Sequence, residues 1–232
     1  ITQDTLSLSS PVEISVPGNV TDATISVAAL MIEPDESNEI VTDPLPALSI
    51  EASTEISSTA PVKLDIPAGT IINAPAGWNG TINVPRVEEK DTVVVTPNPG
   101  MTATVDTVIE VGFGDVPLTF NKAVRILVPG QGGKDAGYYR NNEFFRIESL
   151  PEGALDDQDW ADENIPEGGD GKLDVGPDLV IWTKHFTKFV TYTQTQIPAG
   201  GGGGGGGPQG VTSNTGMAMV TPNAGGTISL GN

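Results

Sequence analysis

Three stretches of this chain carry residues that could do chemistry. The first is His185-Phe186-Thr187, inside Asp178–Gln196, the longest run of β-forming residues; His185 is the only histidine and there is no cysteine. If Phe186 and Phe189 are buried in one core, a strand of period two must bend or bulge between them, at Thr187-Lys188. A strained Phe186–Thr187 peptide would favour attack by the Thr187 hydroxyl on the preceding carbonyl, with His185 as base and an ester as intermediate. The other reading is a buried phenylalanine beside an ordinary strand histidine. The same period of two places Trp182, Phe186, Val190 and Tyr192 on one face of the stretch, and Ile181 and Phe189 on the other.

The second stretch is acidic. Asp157, Asp159, Asp162, Asp170 and Asp174 stand with Asp156, Glu163, Glu167 and Asp178 around Gly168-Gly169 and Gly171. Hard oxygen ligands on such a loop suit Ca²⁺. The D-x-D-x-D-G run with its distal Glu is missing, so a solvated acidic loop is the competing expectation. The third is Gly130-Gln-Gly-Gly-Lys134-Asp135. It lacks the spacing of a phosphate loop, and Asp135 stands where the Mg²⁺-binding hydroxyl belongs, so phosphate binding is excluded there. Asn19 and Asn79 each open an N-x-[ST] sequon, the acceptor pattern for glycans on a secreted chain. No second histidine, cysteine or cofactor loop exists to help His185 act on an outside substrate, so the chain reads as non-enzymatic.

The elements that must position these residues are strands. The chain has 232 residues, 29 Gly and 19 Pro, with a net charge of −19 and pI near 4.1. That charge argues against nucleic acid and against an anionic membrane surface, and no segment has the apolar length to insert in a bilayer. The start at Ile1 reads as a mature product after signal removal or a trimmed chain. An acidic, Thr-rich, Cys-free composition reads as secreted or cell-surface.

Strands are expected at Thr5–Leu8, Val12–Val16, Ala23–Leu30, Ala47–Glu51, Thr92–Thr96, Val105–Val111, Ala123–Val128, Tyr138–Arg140 and Glu143–Ile147, with an irregular connection over Met31–Leu48. Asn141-Asn142 suits a two-residue hairpin turn. Ala154–Asn164 suits one helical turn around Trp160. Pro11-Val-Glu-Ile-Ser-Val-Pro-Gly, ending in Thr24–Val27, aligns with Pro61-Val-Lys-Leu-Asp-Ile-Pro-Ala-Gly, ending in Thr81–Val84, as a repeated strand–turn–strand unit. The sum is an all-β fold: an antiparallel β-sandwich with an N-terminal β extension and a C-terminal strand tail after a poly-Gly linker. The boundaries are 1–50 for the N-terminal segment, 51–198 for the sandwich, 199–210 for the linker and 211–232 for the tail.

Thr183–Phe189 (T-K-H-F-T-K-F), the Pro-Ala-Gly turn after Asp65-Ile66, the Val124–Gly130 strand and the final Thr-rich strand resemble the zona-occludens/Unc-five β-sandwich domain and its bacterial surface-protein relatives. The resemblance covers residues 51–197, roughly. Some members of that family, and the related autoproteolysis-inducing domain of adhesion receptors, cut themselves before the Ser/Thr; many others keep the sequence and stay intact. This chain departs from the pattern in having Thr rather than Ser, flanked by Lys184 and Lys188.

Gly200–Gly207 form a spacer that spans at most about 27 Å. Beyond it, Met217, Met219, Val220, Ile228 and Leu230 mark strands with no core of their own, and an isolated hairpin is marginal in water. They fold back on their own domain, begin another repeat, or enter the next molecule's sheet to make a homopolymer, with Thr5–Leu8 as a receiving edge. The function expected is therefore a structural subunit of a filament or surface assembly joined by strand exchange. The competing expectations are a self-cleaving surface domain and a Ca²⁺-dependent or carbohydrate-binding adhesive module.

Overall fold

A computed structural model describes residues 11–18, 20, 23–27, 29–31, 39–53, 60–112, 114, 116–141 and 143–198. The strands expected at Thr5–Leu8 and in the tail, with Met217, Met219, Val220, Ile228, Leu230 and Asn19, lie outside the described residues. The chain is all-β, with two sheets packed face to face. Its strands are β1 (Val12–Val16), β2 (Thr24–Ser26), β3 (Ala29–Met31), β4 (Glu39–Thr42), β5 (Leu48–Ala52), β6 (Val62–Ile66), β7 (Ile72–Pro75), β8 (Thr81–Glu88), β9 (Met101–Gly112), β10 (Leu118–Val128), β11 (Asp135–Arg140), β12 (Glu143–Ile147), β13 (Asp170–Val175), β14 (Asp178–Phe186) and β15 (Lys188–Gln196). Among the described residues an α-helix, α1 (Gln158–Asn164), precedes β13, and a single 3-10 turn spans Lys90–Thr92.

The second sheet has the order β12-β11-β15-β9-β8-β2. The first is centred on β10, whose one edge takes β14 and then β13. Its other edge takes both β6 and β7, with Arg125 opposite Asp65 and Thr119 opposite Asn73, so these two form one interrupted row. Alongside, β5 pairs β6 and β4 pairs β7, making a second interrupted row. Prolines cause the breaks, because Pro44, Pro46 and Pro67 cannot donate to a ladder. The gaps are stitched together instead: Leu45 N donates to Thr70 O (2.8 Å), Gly69 N to Leu45 O (2.8 Å), and Ile71 N to the Asn121 side-chain oxygen (2.7 Å). All neighbours are antiparallel except β1, which runs parallel to β5 at the sheet edge.

The central core joins both sheets through Leu64, Ile72, Ile82, Ile109, Leu118, Phe120, Phe186 and Phe189, all buried. A satellite cluster of Ala123, Val180 and Trp182 lies under Ala161 and Ile165 at α1. Another, of Val108, Val190 and Tyr192, lies under Val93 and Val95.

Several expectations are corrected. Asp178–Gln196 is two strands in two sheets, so Trp182, Phe186 and Tyr192 do not share a face: they fall in three different clusters. Ala23–Leu30 is likewise split, β2 joining the second sheet and β3 the first. The region read as an irregular connection, Met31–Leu48, contains β4. Thr92–Thr96 buries Val93 and Val95 without strand pairing. The acidic stretch holds α1 and β13 rather than a loop alone. The hairpin at Asn141 is as expected, with Asn141 at φ 53°, a left-handed conformation that Asn tolerates better than most residues. The two repeated units take matching places: β1 and β6 flank β5, and β2 pairs β8. Strands on both sides of residue 50 share one compact unit that runs to Ile197.

Candidate functional site

The chain crosses from one sheet to the other at Thr187, between β14 and β15. The bend expected at Thr187-Lys188 is therefore present, and its cause is the one anticipated: Phe186 and Phe189 both enter the central core. The Phe186 ring meets Phe120 edge-on at 4.5 Å. β14 is also irregular just before the crossover. His185 pairs Thr119, Thr183 pairs Val124, and the register slips between them. The Thr183 hydroxyl spans the irregularity, accepting from His185 N (3.2 Å) and donating to His185 O (3.0 Å).

His185 is fully buried. Its Nε2 lies 3.0 Å from Asp170 Oδ2 on β13, and its ring sits 4.6 Å from the Tyr138 ring and 5.8 Å from that of Phe189. Nδ1 has no hydrogen-bond partner among the described residues. Burial raises the Tyr138 phenol above its ordinary value, Asp170 adds to this, and Arg140 opposes it. The Thr187 hydroxyl donates to Tyr139 O, and Thr187 O accepts from Val111 N (3.2 Å). The Thr187 hydroxyl and His185 Nε2 are thus engaged, while His185 Nδ1 is left without a partner among the described residues. The hydroxyl hydrogen points at a backbone carbonyl, which cannot act as its base, and the imidazole Nε2 faces a carboxylate.

The acidic residues do not converge. Asp157 caps α1, accepting from Trp160 N (3.1 Å), and Asp159 sits in the first turn, where a negative charge suits the helix dipole. Asp162 Oδ1 accepts from Ala123 N (2.7 Å) and Gln158 Nε2 (2.9 Å), tying α1 to β10. Asp170 holds His185. Asp174 accepts from Gly133 N (3.0 Å) and Asp178 from Gly130 N (2.8 Å), fixing the β10–β11 loop. Asp156 meets Arg125 through both oxygens at 2.7 and 2.8 Å. Among the described residues no group of three His, Asp or Glu is placed to hold a metal ion. Asp156, Asp157, Asp159, Glu163, Glu167 and Asp174 are exposed, as a solvated charge run would be, although most of the carboxylates in the stretch also accept a specific bond. Asn79 is exposed in the β7–β8 turn, its side-chain oxygen accepting from Thr81 N (3.0 Å) and Oγ1 (2.6 Å).

A groove of about 640 Å³ opens where the β1–β5 edge of the first sheet faces β8 of the second. Val16, Val20, Ala52, Pro85 and Val87 give it an apolar floor, and Arg86, Glu88 and Glu89 line its polar side. Arg86 lies 2.7 Å from both Glu88 and Glu110, and Lys188 lies 3.2 Å from Glu88. Burial pushes the Glu88 carboxyl up. Its hydrogen bonds to Glu110 and Lys188 and the charges of Lys188 and Arg86 outweigh that and hold it below the ordinary value. Reading the sequence missed this groove. The signal was the alternation of Val12, Ile14 and Val16 against Glu13 and Ser15, which marks a strand with one buried face but does not say that the strand ends a sheet. It also missed Asp170 as the partner of His185, since 15 residues separate them and only the β13–β14 pairing joins them. No known protein family, curated protein or solved structure matches the chain.

Proposed function

We propose that this chain is a non-enzymatic structural subunit of an extracellular filament or cell-surface assembly, joined head to tail by strand exchange of residues 211–232. The observation that carries this reading is that the side chains able to do chemistry serve as ties within the sandwich. His185 is sealed beneath Tyr138 and held by Asp170, Thr187 is bonded to a neighbouring strand, and the acidic residues cap a helix or pin loops. Strand exchange draws its support from the tail sequence: a glycine tether, then alternating apolar residues that need a host sheet. The resemblance of Thr183–Phe189 to the zona-occludens/Unc-five segment fits the same reading, since many members of that family remain intact. The test is removal of Gly200–Asn232. The full chain is expected to form assemblies visible by electron microscopy and the truncated chain to stay monomeric; assemblies that persist after truncation refute strand exchange by the tail.

A second reading, self-cleavage between Phe186 and Thr187, has one observation in its favour: the sharp change of sheet at Thr187. Intact-mass spectrometry separates the two. A single species of 24.0 kDa is expected, and two fragments dividing at that bond would establish cleavage.

A further inference from the structure

We propose that the outer edge of β1, with the groove beside it, receives the C-terminal strands of a second copy of this chain. The inference rests on the strand-exchange reading and adds to it the receiving site.

Among the described residues the outer backbone edge of β1 is unpaired, and its phase is fixed by the bonds to β5. Val12 N donates to Ala47 O (2.8 Å), and Val16 O accepts from Ser53 N (3.0 Å). In a parallel ladder bonding alternates, so Val12, Ile14 and Val16 turn their amides toward β5. Glu13 and Ser15 therefore turn theirs outward, and no strand among the described residues pairs with them. The side chains match. Val12, Ile14 and Val16 pack against the central core, whereas Glu13 and Ser15 are exposed. A strand added here would hydrogen-bond to Glu13 and Ser15 and lay alternate side chains between the sheets, over Val16, Val20, Ala52, Pro85 and Val87.

Charge identifies the occupant. The chain carries a net −19, yet residues 198–232 contain no Asp, Glu, Lys, Arg or His. The whole of that charge sits on the body, so two bodies repel each other while the tail does not. The groove is lined by Glu88 and Glu89 with one arginine, Arg86, already 2.7 Å from Glu88, a balance that disfavours an acidic strand and accepts a neutral one. Thr227-Ile228-Ser229-Leu230 has the required alternation, with Ile228 and Leu230 two residues apart to enter the groove. The eight glycines let this strand reach a neighbour while the charged bodies stay apart.

Ser15→Pro in the full chain tests the site. Proline removes the outward N–H of β1 and leaves the β1–β5 bonds, which Val12, Ile14 and Val16 make. The expected result is loss of assemblies with Ser15→Pro and retention with Ser15→Thr. Added to wild-type protein, Ser15→Pro should shorten the assemblies at substoichiometric ratio, because it still donates a tail but cannot receive one. That capping shows that the variant is folded, and its thermal melt should match that of Ser15→Thr. Ser15→Pro assemblies equal to wild type, with the tail truncation still monomeric, overturn the β1 site and leave strand exchange standing; a partner at another edge, or residues 1–10 covering β1, gives this result. A wild-type chain that is monomeric, its tail folded on its own body, overturns both.

Discussion

At the scale of single residues, the acidic stretch shows how position decides what a carboxylate does. Asp162 has the composition of a metal ligand and the place of a staple. Its Oδ1 accepts the backbone N–H of Ala123, a fully buried residue at the point where β10 slips register. Removing the acceptor leaves that donor buried and unpaired, which costs about 1–3 kcal/mol. Asp162→Ala is therefore expected to lower unfolding stability by that amount in urea titration. Asp162→Asn keeps the accepting oxygen and should lose less. Equal losses in the two variants would place the contribution in the charge rather than the hydrogen bond. His185 is the corresponding case among the basic residues. The sequence singles it out because it is alone, and the fold spends its Nε2 on Asp170 and stacks its ring among aromatics.

At the scale of elements, the β14–β15 crossover depends on a residue from another strand. Gly112, at the end of β9, has φ 110°, and a Cβ there would lie 2.7 Å from the Phe186 Cβ. Both the left-handed conformation and the space demand glycine. Gly112→Ala is expected to cost roughly 2–4 kcal/mol, combining strain with displacement of a packed phenylalanine. Near-UV circular dichroism should change with it, since Phe186 contacts Phe120 edge-on. A variant as stable as wild type would mean that the crossover is loosely packed. The interrupted rows β4/β5 and β6/β7 follow the same logic, with prolines breaking the ladder and side-chain or loop bonds replacing what is lost.

At the scale of the molecule, charge sets the response to solution conditions. Glu88, with Arg86, Lys188 and Glu110, lies beside the groove between the sheets. Because its carboxyl is held below the ordinary value of 4.5, the network's contribution is complete above that value and is lost as pH falls through the lower folded value. Stability should therefore decline below about pH 4.5. Lys188→Met should be less stable at neutral pH and show a flatter decline, read from thermal melts across the acid range. An unchanged slope would assign the acid loss to other carboxylates. For the proposed assembly, the −19 charge on the body predicts that its formation, followed by light scattering, accelerates as salt rises from about 10 to 150 mM, because the Debye length falls from roughly 30 to 8 Å. Insensitivity to salt would remove body–body repulsion from the account.

The all-β class, most strand positions, the bend at Thr187 and the Asn141 turn were legible in the sequence, because alternation, glycine and proline act within a few residues. The repeat was legible too, as β1 and β6 or β2 and β8 share local patterns. Which sheet a strand joins was not, since pairing is chosen by partners far away in the chain. β2 and β3 read as one strand and go to different sheets. β13, rich in polar residues, drew its strand identity from its neighbour β14 rather than from propensity, and β4, only four residues long, is set among prolines and acidic residues that hide its β-branched run. The same reason hides the partners of His185-Phe186-Thr187 from the sequence. The sequence placed a histidine, a bend and a hydroxyl together; only the tertiary structure supplied Asp170 and the Tyr139 carbonyl, from β13 and β11, which bond the imidazole Nε2 and the Thr187 hydroxyl, because strand pairing brings together residues far apart in the chain.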